Sequence, residues 1–185
     1  SDLPVLLICV DVKTHVPPDG PIAFNTGAGG SALKGGSGEL GVAAIHWLFD
    51  QYYATYFQSG TDQTQWAFQY ALWEIGNDFN GSVSSISHSS GIDVPTTDGY
   101  FKDDPSFINA YQAIYSAFAT SLPSLSPSYR STNYTLDLFT NADPSEQNMV
   151  AVVHRKPDVT PSNPSVPTPV PTLSEMALLM LSVAV

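Results

Sequence analysis

The chain has 185 residues, of which 43% are apolar, so it can bury one hydrophobic core rather than several. Seventeen acidic residues against six basic ones give a formal net charge of −11, which argues against nucleic acid and anionic membranes as partners. Asn, Ser, Thr, Gly and Tyr are abundant while charge is sparse, a composition typical of an exported protein. The chain opens on Ser1 without a signal peptide, so we expect it to be a mature form.

Residues 4–12 are short, apolar and β-branched, and a turn follows at residues 17–20, so they predict a buried strand. Cys9 lies in this strand and is the only cysteine, which excludes an intramolecular disulfide. An apolar strand raises the pKa of a thiol and makes it a poor ordinary nucleophile. From the residues alone, Cys9 is a buried small hydrophobe, an intermolecular link or a reactive group.

Residues 27–41 are rich in glycine and predict a loop, without the Gly-Lys-Ser/Thr ending of a phosphate-binding loop. Residues 39–57 then carry apolar side chains at helical spacing and predict an amphipathic helix. His46 lies among them with no second ligand at i+3 or i+4. We therefore expect His46 to be a hydrogen-bonded interior residue rather than a metal ligand.

A densely aromatic stretch predicts the central helix over residues 63–76, capped by Asp62 or Thr61 and stopped by a left-handed turn at Gly76-Asn77. Its apolar residues cover more than one stripe, as expected for a helix packed on several sides.

Gln69 is the polar residue in the middle of this helix, between Trp66 and Trp73. A buried carboxamide must find partners or cost on the order of 1–3 kcal/mol. On physical grounds alone, the favoured interpretation is a hydrogen-bonded core glutamine.

Residues 79–98 are rich in Gly, Ser and Asn, with a short strand predicted at 83–86. No serine there has the surroundings of a catalytic nucleophile, and no convincing acid/base pair supports a hydrolase. Asp104-Pro105 predicts an N-cap followed by proline at the first position of a third helix, which ends before Pro123.

Two strands are predicted at residues 133–140 and 149–154, separated by a turn at 141–145. With the first strand and the helices between, they predict an α+β fold. We expect the N- and C-terminal strands to form a β-sandwich or a barrel-like sheet, with an inserted subdomain of about three helices.

The composition changes after the last strand and predicts three regions: a globular domain at 1–155, a Pro/Thr/Ser-rich stalk at 156–171 and an apolar tail at 172–185. Residues 176–185 are too few to span a bilayer alone. They predict a truncated membrane segment, a processed remnant or a hydrophobic plug for another subunit.

The C-terminal stretch resembles the bacterial IPTL-CTERM protein-sorting signal, which is related in logic to PEP-CTERM tails. Residues 171–175, Pro-Thr-Leu-Ser-Glu, carry the resemblance, with Val170 in place of isoleucine and Met176 in place of tryptophan. The resemblance implies export, followed by sorting to the cell envelope or the exterior by envelope sorting machinery.

The body of the chain resembles the thioester domains of bacterial surface adhesins. That family has a cysteine in an early strand, a Thr-Gln-x-Ala-apolar-Trp motif on a central helix, and a Gln-x-x-apolar-apolar motif near the end of the domain. The corresponding residues here are Cys9, then Gln69 to Trp73 with Phe68 in place of the threonine, then Gln147 followed by Asn-Met-Val-Ala.

The resemblance implies an internal thioester between Cys9 and Gln147, which an amine of a target protein would attack. Gln69 would support the site through hydrogen bonds, and Trp66 and Trp73 would supply apolar walls against water. It implies no cofactor, no metal and no enzymatic turnover.

Two functions of different class are thus predicted. The first is a covalent, extracellular or cell-surface binding domain for adhesion, whose partner is a lysine amine of a target or neighbouring protein. The second is a structural subunit of an extracellular filament or matrix, a homo-polymer assembled through its C-terminal tail.

Overall fold

The computed structural model describes residues 5–10, 24–25, 29–86, 104–142 and 148–154. Gln147 and the predicted stalk and tail at 156–185 lie outside these residues. The described chain is α+β, as predicted, with strands at either end of a helical region. The elements are β1 Val5–Cys9, β2 Phe24–Asn25, α1 Glu39–Leu48, α2 Asp62–Asn77, α3 Pro105–Ser121, β3 Tyr134–Asn141 and β4 Met149–His154.

The strands form one antiparallel sheet in the order β1-β4-β3-β2. β4 lies between β1 and β3, while β2 adds a two-residue pairing at the far end of β3. This sheet is open, so the prediction of a barrel-like sheet is wrong for the described part of the chain. A sandwich would need a second sheet, which the residues described above do not contain.

Burial along β3 alternates, as its sequence predicts: Tyr134, Leu136 and Leu138 are buried, while Thr135 and Asp137 are exposed. β4 is buried from Met149 to Val152 and has a paired strand along each edge. β1 is less buried than predicted. Its side chains Leu6 and Leu7 are 44% and 45% exposed, whereas Ile8 and Val10 are buried.

The first predicted helix is present, but its second half has an unexpected geometry. α1 continues without a break into a π-helix at Phe49–Gln58. Ten residues of π-helix are unusual, since this form is normally a single turn. The rings of Phe49, Tyr53 and Phe57, each four residues apart, pack on Phe68 of α2 at centroid distances of 5.2 to 5.8 Å.

α2 runs from Asp62 to Asn77, and the Thr61 side chain caps it by accepting from the Thr64 amide. The predicted left-handed stop at Gly76-Asn77 is wrong, because both residues are helical and only four other glycines have positive φ among the described residues. Gly76 has a different role. A Cβ built on it would lie 2.6 Å from the carbonyl oxygen of Val10, so the glycine lets β1's end approach the helix.

α3 begins as predicted, with Asp104 accepting from the Ser106 amide at 2.7 Å and Pro105 at the first helical position. The predicted strand at 83–86 is instead a 3-10 helix, Val83–Ile86. The carbonyl of Ile86 in this helix accepts a hydrogen bond of 2.6 Å from the Tyr111 hydroxyl of α3. Both buried polar groups thus have a partner.

The core lies between one face of the sheet and the helices, and α1 is buried from Gly41 to Leu48. Among the described helices, none has the length and hydropathy needed to cross a bilayer.

Candidate functional site

The candidate site is built where β1 ends beside β4. Cys9 is the last residue of β1 and pairs with Met149, and the Val10 amide then donates to the carbonyl of Asn148 at 3.0 Å. The residue after Cys9 is thus hydrogen-bonded to the residue after Gln147. Gln147 itself lies outside the described residues, so its pairing with Cys9 stays a prediction.

Gln69 and Cys9 are brought together by the packing of α2 on β1. The Gln69 side-chain Nε2 donates to the carbonyl oxygen of Cys9 at 2.8 Å. A carbonyl can only accept, so this contact fixes which end of the amide faces Cys9. Gln69 is half-buried and hydrogen-bonded, in agreement with the prediction that its amide finds a partner.

Asn77 holds the next carbonyl of the same segment. Its Nδ2 donates to the Val10 carbonyl at 3.1 Å and to the Trp73 carbonyl at 2.9 Å. Together with the close approach at Gly76, these contacts hold the backbone on both sides of the Cys9-Val10 peptide against α2. Sequence reasoning missed Asn77, because an asparagine near a helix end predicts a cap rather than a tertiary contact.

Asn148 fixes the β4 side of the site. Its Oδ1 accepts from the Asn141 amide at 3.0 Å, and its Nδ2 donates to the Ala32 carbonyl at 3.1 Å. Both ends of the amide are therefore used, and the start of β4 is tied to β3 and to the glycine-rich segment. Its position directly after Gln147 was the only signal in the sequence that could have identified it.

Trp66 and Trp73 lie on the same side of α2 as Gln69, at intervals of three and four residues. Their rings meet edge to face, with centroids 6.4 Å apart. Trp66 is 44% exposed, so it is not a core residue as the helix pattern suggested, and it forms part of an open depression. The indole Nε1 of Trp73 is buried and has no hydrogen-bond partner among the described residues.

Cys9 is half-buried at the end of this anchored segment. A half-buried position next to the start of β4 can hold a reactive residue while restricting the access of water.

A second polar cluster, between α2 and α3, was not predicted. Glu74 is fully buried beside Tyr70 and Tyr111. Burial raises the pKa of both tyrosine hydroxyls above their ordinary range, and the Glu74 carboxyl raises each further. Tyr70 packs edge to face on Phe107 and Tyr111 of α3, so this cluster belongs to the helix interface rather than to the Cys9 side of α2.

His46 is an interior, hydrogen-bonded residue, as predicted: it is 5% exposed, and its Nδ1 accepts from the Ser131 amide at 3.1 Å. Within the described ranges, no cluster of three or more His, Cys, Asp or Glu side chains could hold a metal ion.

Comparison with known proteins gave no match to a protein-family model, to a curated protein or to a solved structure.

Proposed function

We propose that this protein is an exported, cell-surface adhesion domain that attaches covalently to amines of a target or neighbouring protein through an internal thioester between Cys9 and Gln147. The observation that carries the proposal is the hydrogen bond from the Val10 amide to the Asn148 carbonyl. It joins the residues that directly follow the two proposed partners. The anchoring of the Cys9 carbonyl by Gln69 adds support, because a reacting group must be held in place to react with its partner.

The proposed chemistry is an acyl transfer in two steps. The Cys9 sulfur attacks the side-chain carbonyl of Gln147, a carbon–sulfur bond forms, and ammonia leaves with the thiol proton. An amine of the target then attacks the same carbonyl, forms an amide with it and returns the proton to Cys9 as a free thiol. Each domain reacts once, so the activity is attachment and not turnover.

The mass of the intact, native protein tests this proposal. The thioester form should weigh one ammonia less than the sequence, and methylamine treatment should add one methylamine to it. Cys9→Ala should have the full sequence mass before and after treatment. Native protein with the full sequence mass and no reaction with methylamine would refute the proposal.

The resemblance of residues 170–176 to a sorting signal supports export and delivery to the envelope or the exterior. The proposed target is accordingly a protein amine outside the cell, the side chain of a lysine.

The exposed edge of the sheet favours a second candidate, a subunit of an extracellular filament or matrix. β1 is the end strand of the described sheet, and Leu6 and Leu7 on its two faces are both about half exposed. An apolar end strand can pair with an added strand from another chain. The occupant we propose is the apolar tail, residues 172–185, of a second copy.

Size-exclusion chromatography of the secreted protein separates the two candidates. Assembly through the tail should produce oligomers that disappear when residues 156–185 are removed, or when Leu7→Lys places a charge on the edge strand. A full-length protein that stays monomeric at high concentration would exclude the subunit role.

A further inference from the structure

An open depression of about 280 Å³ lies beside Gln69 on the surface of α2. Its described walls are Phe57, Gln65, Trp66 and Gln69. One of its walls is therefore the same side chain that holds the Cys9 carbonyl. A molecule bound in it would lie next to the segment that carries the proposed thioester.

In both glutamines of the depression, the side-chain NH₂ group donates to a backbone carbonyl, which leaves the side-chain oxygen as a hydrogen-bond acceptor. Gln65 Nε2 donates to the Phe57 carbonyl at 3.0 Å, and Gln69 Nε2 donates to the Cys9 carbonyl at 2.8 Å. Because both NH₂ groups donate to backbone carbonyls, both side-chain oxygens remain as acceptors, and no described residue donates to either. The residues that line the depression thus carry two acceptor oxygens for a ligand that has N–H groups.

The remaining walls and the charge of the chain favour a cation with an apolar stem. Trp66 presents 44% of its surface to solvent, and the face of an indole attracts an ammonium group. Neither of the described basic residues, Lys34 and Arg130, lines the depression, and Arg130 is paired with Glu39 at 2.6 Å. The net charge of −11 attracts cations and repels anions.

We propose that this depression is the entry site for the attacking amine, and that it binds the side chain of a lysine with its stem along Trp66 and Phe57 and its ammonium group on the Gln65 and Gln69 oxygens. This inference rests on the proposed function for its role, since the bound ammonium group, after it gives one proton to water, would be the amine that attacks the thioester. The binding itself does not require a thioester. An alkyl amine is selected over water here because only the amine gains contacts with the aromatic walls.

Binding can be measured without the thioester in the full chain of Cys9→Ala, with Cys9→Ser as a second variant in case the first folds poorly. The probe is Nα-acetyl-lysine-N-methylamide, and the readout is the NMR signal of the Trp66 indole N–H, assigned by its loss in Trp66→Leu. We expect a saturable shift of this signal that weakens as salt is added. The Nε-acetylated probe, which has no charge, should produce no such shift.

Aminolysis of the wild-type thioester, followed by intact mass, tests the role in attack. Trp66→Leu should slow the reaction with the lysine probe about two- to fivefold, the size of an exposed cation–π contact. Tyr115→Leu, a change on α3 outside the depression, should leave the rate of this reaction unchanged. Equal reaction rates in wild type and Trp66→Leu, or an NMR titration without a shift, would overturn this inference.

The two proposals fail separately. A saturable shift in a protein that never loses ammonia would leave a lysine-binding site and remove the thioester. If the thioester forms but Trp66→Leu does not change its rate of aminolysis, and the protein does not bind the probe, then the thioester proposal stands and the entry site is refuted.

Discussion

The side-chain amide of Gln69 on the central helix donates a hydrogen bond of 2.8 Å to the backbone carbonyl of Cys9 at the end of the first strand. The two residues are 60 positions apart in the chain, so this contact is a direct link between the helix and the proposed reactive segment.

The first prediction follows from this bond. Gln69→Ala should destabilise the protein by about 1 kcal/mol, because it removes one hydrogen bond to a part-buried carbonyl. It should also lower the fraction of chains that lack one ammonia, since the Cys9 carbonyl is no longer held. Urea unfolding measures the first effect and intact mass the second.

Gln65→Ala is the matched control, because Gln65 lies one turn earlier on α2 and makes a bond of the same kind. Its partner is the carbonyl of Phe57, the next-to-last residue of the π-helix. A similar loss of stability is expected from it, with the ammonia-deficient fraction unchanged. If both variants changed that fraction equally, the contact with Cys9 would have no special role.

The second prediction concerns the close approach of β1 to α2. Gly76→Ala should destabilise the protein by about 1–3 kcal/mol, because the added Cβ would lie 2.6 Å from both the Val10 carbonyl oxygen and Val10 Cγ1. Backbone cannot move aside as easily as a side chain. The free energy of unfolding from urea titration gives the measurement.

Gly41→Ala provides the comparison, since Gly41 is also helical and buried. The atoms that its Cβ would meet belong to the side chains of Ser37 and Leu33, which can rotate away. We therefore expect a smaller loss of stability, offset in part by the higher helix propensity of alanine. A larger loss at Gly41 than at Gly76 would contradict this account.

The sequence identified most elements because their signals are local. The Thr61 and Asp104 caps, the proline at the start of α3 and the alternation along β3 each act within a few residues, and the structure contains all of them. The first helix was also located correctly, although nothing in its spacing revealed that it becomes a π-helix after Leu48.

What the sequence did not reveal depends on tertiary contacts. The pair Gly76-Asn77 is typical of a helix stop, but in the structure Gly76 is helical and leaves room for the backbone of Val10. The exposure of Leu6 and Leu7 depends on β1 being the end strand of the described sheet, and strand order is not a local property. In the candidate site, the motif predicted a supporting role for Gln69, but not which atom it would contact.

The third prediction concerns Asp50, which lies on the π-helix and holds the start of β3. Its carboxylate accepts from the Tyr129 hydroxyl at 2.7 Å, from the Asn133 side-chain Nδ2 at 3.1 Å and from the Ser131 hydroxyl. Asp50→Ala should cost about 2–4 kcal/mol, because hydrogen bonds to a charged group are stronger than neutral ones and three donors lose their acceptor.

Asp137→Ala is a suitable control for Asp50, since Asp137 has the same charge and lies on the exposed side of β3. Its effect should stay within about 0.5 kcal/mol. Urea unfolding at neutral pH compares the two, and equal effects would show that the three donors find other partners.

The fourth prediction is a dependence of stability on alkaline pH that involves Tyr129. Burial, and then the hydrogen bond to Asp50, raises the pKa of Tyr129 from 10.0 to about 12. The folded state thus holds this proton more tightly than the unfolded state. The resulting stabilisation is fully present below pH 10 and is lost as the pH rises from about 10 to about 12. Tyr129→Phe should be less stable than wild type at neutral pH, because it loses the bond to Asp50, but its stability should fall less steeply over this alkaline range.

Burial also raises the pKa of Tyr70 and Tyr111, so some alkaline loss of stability should remain in the Tyr129→Phe variant. Urea midpoints measured at intervals across this range would contradict the prediction if the two proteins lost stability in parallel.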